Sequence, residues 1–166
     1  MNRSVFGITI LLVALLAPVV AHAQDEGLVF VTKLQGLQEV PPVETKARGY
    51  VAFEVDDSRT KLEFEWVVRG GNNILGATGA HIHCAPAGEN GPVAAFIGGV
   101  VEGGLQGEVE MEGTLTDQNV LKDAGCGSNI AELVDEMLAG NTYVNIHSLD
   151  FPSGEVRGQL ELEEGE

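Results

Sequence analysis

The stretch that constrains this chain most is Lys61 to Val68, where Leu62, Phe64 and Trp66 alternate with Lys61, Glu63 and Glu65. Side chains of period two share a face only on extended backbone, so this segment is a strand with one face in water. Just before it, Asp56-Asp57-Ser58-Arg59 reads as a hairpin turn leading back from a strand at Gly49–Val55. Glu108, Glu110 and Glu112 alternate with Val109, Met111 and Gly113, which gives Gly107–Leu115 the same half-wet character. Further strands are expected at Leu28–Leu34, Gly79–Cys84, Val93–Ile97, Thr142–His147 and Gly154–Leu162, separated by Gly, Asn, Asp and Pro. No repeat and no linker interrupts them. Short strands and Gly-rich turns in one domain predict an all-β fold, a Greek-key, immunoglobulin-like β-sandwich or flattened barrel of about eight strands.

One short helix is expected among them. Ile130, Leu133, Val134, Met137 and Leu138 fall at helical spacing, Ser128 or Asn129 can cap the start, and Gly140 can end it. The apolar stripe covers an open end of the β structure.

The first residues have a different character. Met-Asn-Arg precedes an apolar run from Val5 to Val20, then Ala21-His22-Ala23 before Gln24. A basic start, an apolar stretch and a small-x-small end predict a signal peptide over 1–23. The apolar run is shorter than the roughly 20 residues that span a bilayer, and Gln24 rather than a cysteine stands directly after the cut, so no membrane anchor is expected after cleavage. The remaining residues 24–166 form a single domain with a core over about 29–160 and an acidic tail at 161–166. The protein is therefore expected outside the cytoplasm, secreted or periplasmic.

The whole chain carries a net charge of −16, and the leader removes only Arg3 from its basic residues. Nucleic-acid partners are excluded, because phosphate binding needs clustered Lys and Arg. In an exported chain the two cysteines, Cys84 and Cys126, are expected to form a disulfide. Closing that loop should stabilise the fold by roughly 4 kcal/mol in the chain-entropy model.

Every histidine of the mature chain falls in two β segments. In His81-Ile82-His83 the imidazoles share a strand face, about 6.5–7 Å apart along the backbone, close enough to converge on one metal ion. Ile82 points into the core, and Cys84 shares its side, which leaves the sulfur for Cys126. In the second segment Val144 and Ile146 face the core while Tyr143, Asn145 and His147 face the other way. His81, His83 and His147 are thus the candidate ligands, with Asn145 and Tyr143 supporting them. Hydrogen-bonded histidines that merely stabilise loops are the competing explanation.

Four segments resemble a known family. Gln35-Gly36-Leu37-Gln38-Glu39-Val40-Pro41-Pro42-Val43-Glu44-Thr45 is similar to the opening signature of the CHRD domain, first named in chordin. Residues Ala80 to Val93, reading AHIHCAPAGENGPV, resemble its central motif, with Ala85 in place of an expected Gly. GNTYVNIHS from Gly140 and FPSGEVRGQL from Phe151 resemble its closing motifs. The resemblance implies a secreted β-sandwich domain and delivers no defined activity. His-x-His on one strand with a histidine on a late strand is also similar to the copper site of copper-zinc superoxide dismutases. The bridging histidine and an evident zinc loop are missing here. That likeness and three neutral imidazoles with an open position point to copper first and zinc second.

The remaining motif residues have structural explanations. Pro41-Pro42 is expected to fix an extended loop over an edge strand. Glu39, Glu155 and Arg157 are expected to form a charge pair pinning the N-terminal loop to the last strand, with Arg157 as an alternative guide for an anion. A metal-binding exported domain is therefore the leading expectation, its affinity falling as pH drops through the histidine range near 6.5. The alternatives are a module presenting loops to an extracellular protein or glycan, and a copper-dependent enzyme acting on superoxide.

Overall fold

The computed structural model describes residues 27–164; the leader at 1–23, with His22, and the last two residues of the acidic tail lie outside them. The strands are β1 (Val29–Gln35), β2 (Arg48–Val55), β3 (Lys61–Arg69), β4 (Ala80–Cys84), β5 (Val93–Gly98), β6 (Val109–Thr116), β7 (Thr142–Ile146), β8 (Val156–Gln159) and β9 (Glu161–Leu162). One helix, α1 (Ile130–Leu138), lies between β6 and β7. All pairings are antiparallel in the order β5-β4-β7-β8-β1-β2-β3-β6, with β9 also against β1. The result is a nearly closed all-β barrel or sandwich, as the alternation predicts.

The sheet folds into two halves because their link is narrow. β8 pairs with β1 through the single register position Gln35↔Arg157, and β9 pairs through Phe30↔Leu162 and Val31↔Glu161. The expected strand at Gly154–Leu162 is therefore split in two. Leu160 turns into the core, almost fully buried, and its N–H donates to Thr142 O at 3.0 Å. The chain changes partners there, from β7 to β1. On the other side the Trp66 indole N–H donates to Ile97 O at 3.0 Å, joining β3 to β5 across the interior.

Between the halves lie Phe30, Leu34, Val51, Leu62, Trp66, Val68, Ile82, Val144 and Ile146, all buried. α1 adds Ile130, Leu133, Val134 and Met137 to the same core. Its N-cap is Asn129, whose side chain accepts from Glu132 N at 2.9 Å, and Gly140 follows the C-cap with φ +74. Cys84 and Cys126 are disulfide-bonded with Cα atoms 5.7 Å apart. Among the described residues no helix is long and apolar enough to cross a membrane.

The loop carrying Pro41-Pro42 does not cover an edge strand. β1 is paired on both sides, so no edge exists there, and the sheet ends at β5 and β6. The loop lies instead over the polar face of β7 and β8. Thr45 donates to Glu155 Oε1 at 2.7 Å, and Asn145 donates to Glu39.

Candidate metal centre

β4 and β7 are antiparallel neighbours with His81 opposite Asn145, Ile82 opposite Val144 and His83 opposite Tyr143. Ile82, Val144 and Ile146 are fully buried in the core, which sends His81, His83, Tyr143 and Asn145 to the other side. β7 ends one residue before His147, yet the His147 N–H still donates to Gly79 O at 3.0 Å and keeps the ladder's alternation. The three imidazoles meet there. One nitrogen of each lies within 4.8 Å of the others. Ring centroids are 5.0 Å apart for His81–His147, 5.5 Å for His81–His83 and 6.4 Å for His83–His147.

Backbone carbonyls fix the tautomers. His83 Nδ1 donates to Gly91 O at 2.9 Å, and His147 Nδ1 donates to Pro152 O at 3.0 Å. Each ring therefore keeps an unprotonated Nε2. His81 Nδ1 lies 3.1 Å from His147 Nε2, and since that atom carries a lone pair, His81 Nδ1 is the donor. His81 Nε2 and His83 Nε2 are then buried acceptors without a partner. Buried acceptors of this kind are rare, and a bound cation would satisfy them. Three bonds of about 2 Å need nitrogens within about 4 Å of one another, so the rings must close by less than about 1 Å.

The loops that hold these carbonyls are shaped for it. Cys84 N donates to Pro92 O at 2.9 Å, folding residues 85–92 back over β4. A Cβ at Gly91 would strike the Cys84 carbonyl, so only glycine brings that loop so close. Register shifts in the β4–β5 pairing fall on either side of His81-Ile82. Such bulges re-aim side chains beside functional sites. Here they set Phe96 edge-on to His81, centroids 4.8 Å apart.

Burial decides the charge of the rings. Desolvation pushes His81 down from 6.5 to about 4, helped by the neighbouring His147 and His83 and opposed by the Thr78 carbonyl. Desolvation likewise takes His147 to about 4, against its bond to Pro152. His83 is lowered by burial first, the Gly91 carbonyl opposes this, and the Arg157 charge adds to the lowering. All three are neutral at pH 7, the form that binds metal.

Next to the rings lies a second buried polar group. Tyr143 stacks on His83, centroids 4.8 Å apart and planes 9° from parallel. The Arg157 guanidinium lies 3.4 Å from the Tyr143 ring centroid. With β7 between β4 and β8, Tyr143 separates Arg157 from His83. The Tyr143 hydroxyl accepts from Gly91 N at 3.2 Å. Both Glu39 oxygens accept from Asn145 Nδ2, at 3.0 and 2.9 Å. Burial raises Glu39 from 4.5 to about 7, while Arg157 and Asn145 pull it back.

The expected Glu39–Glu155–Arg157 charge pair takes another form. Among the described residues the ion pairs are Arg59–Asp135 and Arg69–Glu108, and neither involves these groups. Arg157 donates to Asn90 Oδ1 at 3.0 Å and to Glu89 O at 2.7 Å. Glu39 and Glu155 each hold the N-terminal loop through a neutral partner, Asn145 and Thr45. Strand register sets this outcome: Arg157 is opposite Asn145 in β7, so the amide reaches the carboxylate first. Burial lowers the Arg157 pKa, with Tyr143 and Glu39 opposing, and the guanidinium stays charged at neutral pH.

Sequence patterns gave no sign of Gly91 and Pro152, because they act through backbone carbonyls. Phe96 was equally hidden; it reaches His81 only through the bulged register of β5. A family model described as the CHRD domain matches residues 30–160 of the chain. No curated protein matches it.

Proposed function

This chain belongs to the CHRD domain family, and from that premise we propose an exported, extracellular-type domain, residues 24–166, that holds one transition-metal ion on His81, His83 and His147. The observation that carries this reading is the convergence of three neutral imidazoles, two buried and one half-buried, two of them with an unpartnered nitrogen. The donor set suits the softer ions. Both cysteines are committed to the disulfide and no carboxylate joins the cluster, which disfavours calcium and magnesium. Imidazole ligands and the ordinary affinity order favour copper first and zinc second.

The protein's own groups account for how such a site would fill. Gly91 and Pro152 hold His83 and His147 with Nε2 turned inward, so these rings need no reorientation. Where His81 binds through the nitrogen facing His147, its proton passes from Nδ1 to Nε2 and none is lost to solvent. Asn145 and Tyr143 act from behind: one opposes His81 across the strands, the other backs His83.

The test is equilibrium titration of metal-free mature protein with copper and with zinc. One ion per chain is expected, with the site abolished in His83→Ala and in His147→Ala. A site of undiminished strength in either variant contradicts the assignment. A second reading, a partner-binding module, is favoured by Phe96, a large apolar ring 54% exposed on edge strand β5. Retention of protein or glycan binding after all three histidines are replaced would favour it. Superoxide chemistry has less support, because Arg157, the cation expected to draw an anion, is turned to the 85–92 loop behind Tyr143.

A further inference from the structure

Arg157 is a large side chain that is almost fully buried, and it has no carboxylate within salt-bridge distance among the described residues. Its hydrogen bonds go to a neutral amide oxygen and a backbone carbonyl, on Asn90 and Glu89. A buried charge with no carboxylate in contact acts at longer range than one held in an ion pair, since little water screens it. The direction in which it acts here is set by the stack. The guanidinium lies on Tyr143, and Tyr143 lies parallel on His83. The charge thus sits two ring spacings from the histidine centre, held by packing and unable to swing away.

We propose that Arg157 is a specificity-determining residue of the histidine centre, tilting it toward monovalent copper and against divalent ions. This inference rests on the metal-binding reading above. The physical reason is simple. A fixed positive charge repels an ion in proportion to that ion's charge, so a doubly charged ion is penalised twice as heavily as a singly charged one. Three neutral imidazoles bring no negative charge to offset the difference. Glu39, the carboxylate that feels the Arg157 charge, is hydrogen-bonded to Asn145 and not to the guanidinium, so it offsets that charge only in part.

The experiment compares affinities for Cu(I), under anaerobic reducing conditions, and for Zn(II), each by chelator competition. The informative quantity is their ratio within each variant. A loosened fold weakens both ions together, whereas a changed charge alters the ratio. Removing the charge in Arg157→Gln should lower the preference for Cu(I) over Zn(II) about tenfold, and Arg157→Lys should retain most of it.

Asn90→Asp supplies a second route that leaves the core untouched. Asn90 is exposed, and its Oδ1 already lies 3.0 Å from the guanidinium. A carboxylate there should compensate the charge and shift the ratio in the same direction as Arg157→Gln. An unchanged ratio in Asn90→Asp, or in a folded Arg157→Gln, overturns the inference while leaving metal binding intact. A wild-type chain that binds neither ion overturns both, and is recognised by the absence of any binding to compare.

Discussion

In β3 and β6 the residues turned away from the core include Glu63, Glu65, Glu110 and Glu112, all open to water, whereas in β4 and β7 they include His81, Tyr143 and Asn145, all buried. The backbone alternation is the same in both halves. What differs is the covering. Among the described residues no loop is tied down over the acidic side, where Glu54 faces Glu63 and Glu65 faces Glu112 directly across the strands. Like charges so placed repel, and solvent keeps the penalty small. Over the other half lie residues 36–47, 85–92 and 148–155, tied down by Glu39, Gly91, Pro152 and Glu155. Polar groups there have lost their water, and each must find a protein partner. The histidine cluster therefore lies where loops seal a polar face, and an equally polar face left open remains surface.

The contrast can be attacked by substitution. Asn145→Ala strips the buried Glu39 of both hydrogen bonds and should lower stability by about 3 kcal/mol. On the acidic face, Glu65→Ala should stay within about 0.5 kcal/mol. Chemical denaturation measures both, and equal losses would erase the distinction. Gly154→Ala comes next. Gly154 has φ +134, and a Cβ would run into the Asn145 amide and the Glu39 carboxylate. A loss of about 2 kcal/mol is expected from strain and crowding together.

Titration separates the halves further. His81 and His147 titrate near 4 when folded against 6.5 in an ordinary setting. Between those values the unfolded chain takes up protons that the folded one refuses, so stability falls as pH drops through that window. Glu39 runs the other way. Raised to about 7, it favours the folded state at low pH and loses that contribution as pH rises from 4.5 to 7. His81 and His147 against one carboxylate leave a net loss of about 2 kcal/mol from pH 6.5 to 4.5, and the lowered His83 adds to it. Denaturation curves across that range should show it, and Glu39→Gln should steepen it. The smallest effect belongs to the open face. Glu65→Gln should relieve the repulsion from Glu112 by a few tenths of a kcal/mol, a gain that added salt removes.

The comparison also explains what the sequence makes legible. The alternation of Ile82 with His81 and His83, and of Val144 and Ile146 with their neighbours, assigns faces without knowledge of the fold, because a one-residue slip would bury the wrong set. The Cys84 sulfur on the Ile82 side and the α1 stripe follow from the same rule. Covering is different, since it depends on where distant loops come to rest. Nothing local in Glu89-Asn90 announces a partner for Arg157, 67 residues from Asn90. Opposite charges on Glu39 and Arg157 suggest a salt bridge, yet register places Asn145 between them. The turn of Leu160 into the core interrupts an otherwise regular strand pattern. The expected weakening of metal binding near pH 6.5 changes for the same reason: His81 and His147 resist protonation until about 4, and burial lowers His83 as well. Affinity should therefore begin to fall at a lower pH than it does for an ordinary histidine site.

The most direct test of the sealed histidine centre is nitrogen NMR of the imidazoles during titration with zinc, a diamagnetic ion. Metal-free protein should show His83 and His147 neutral with the proton on Nδ1. One equivalent of zinc should shift a single nitrogen of each of His81, His83 and His147, Nε2 in the latter two, all saturating together. Unperturbed resonances for any of the three at saturation, or saturation only beyond one equivalent, would contradict the account.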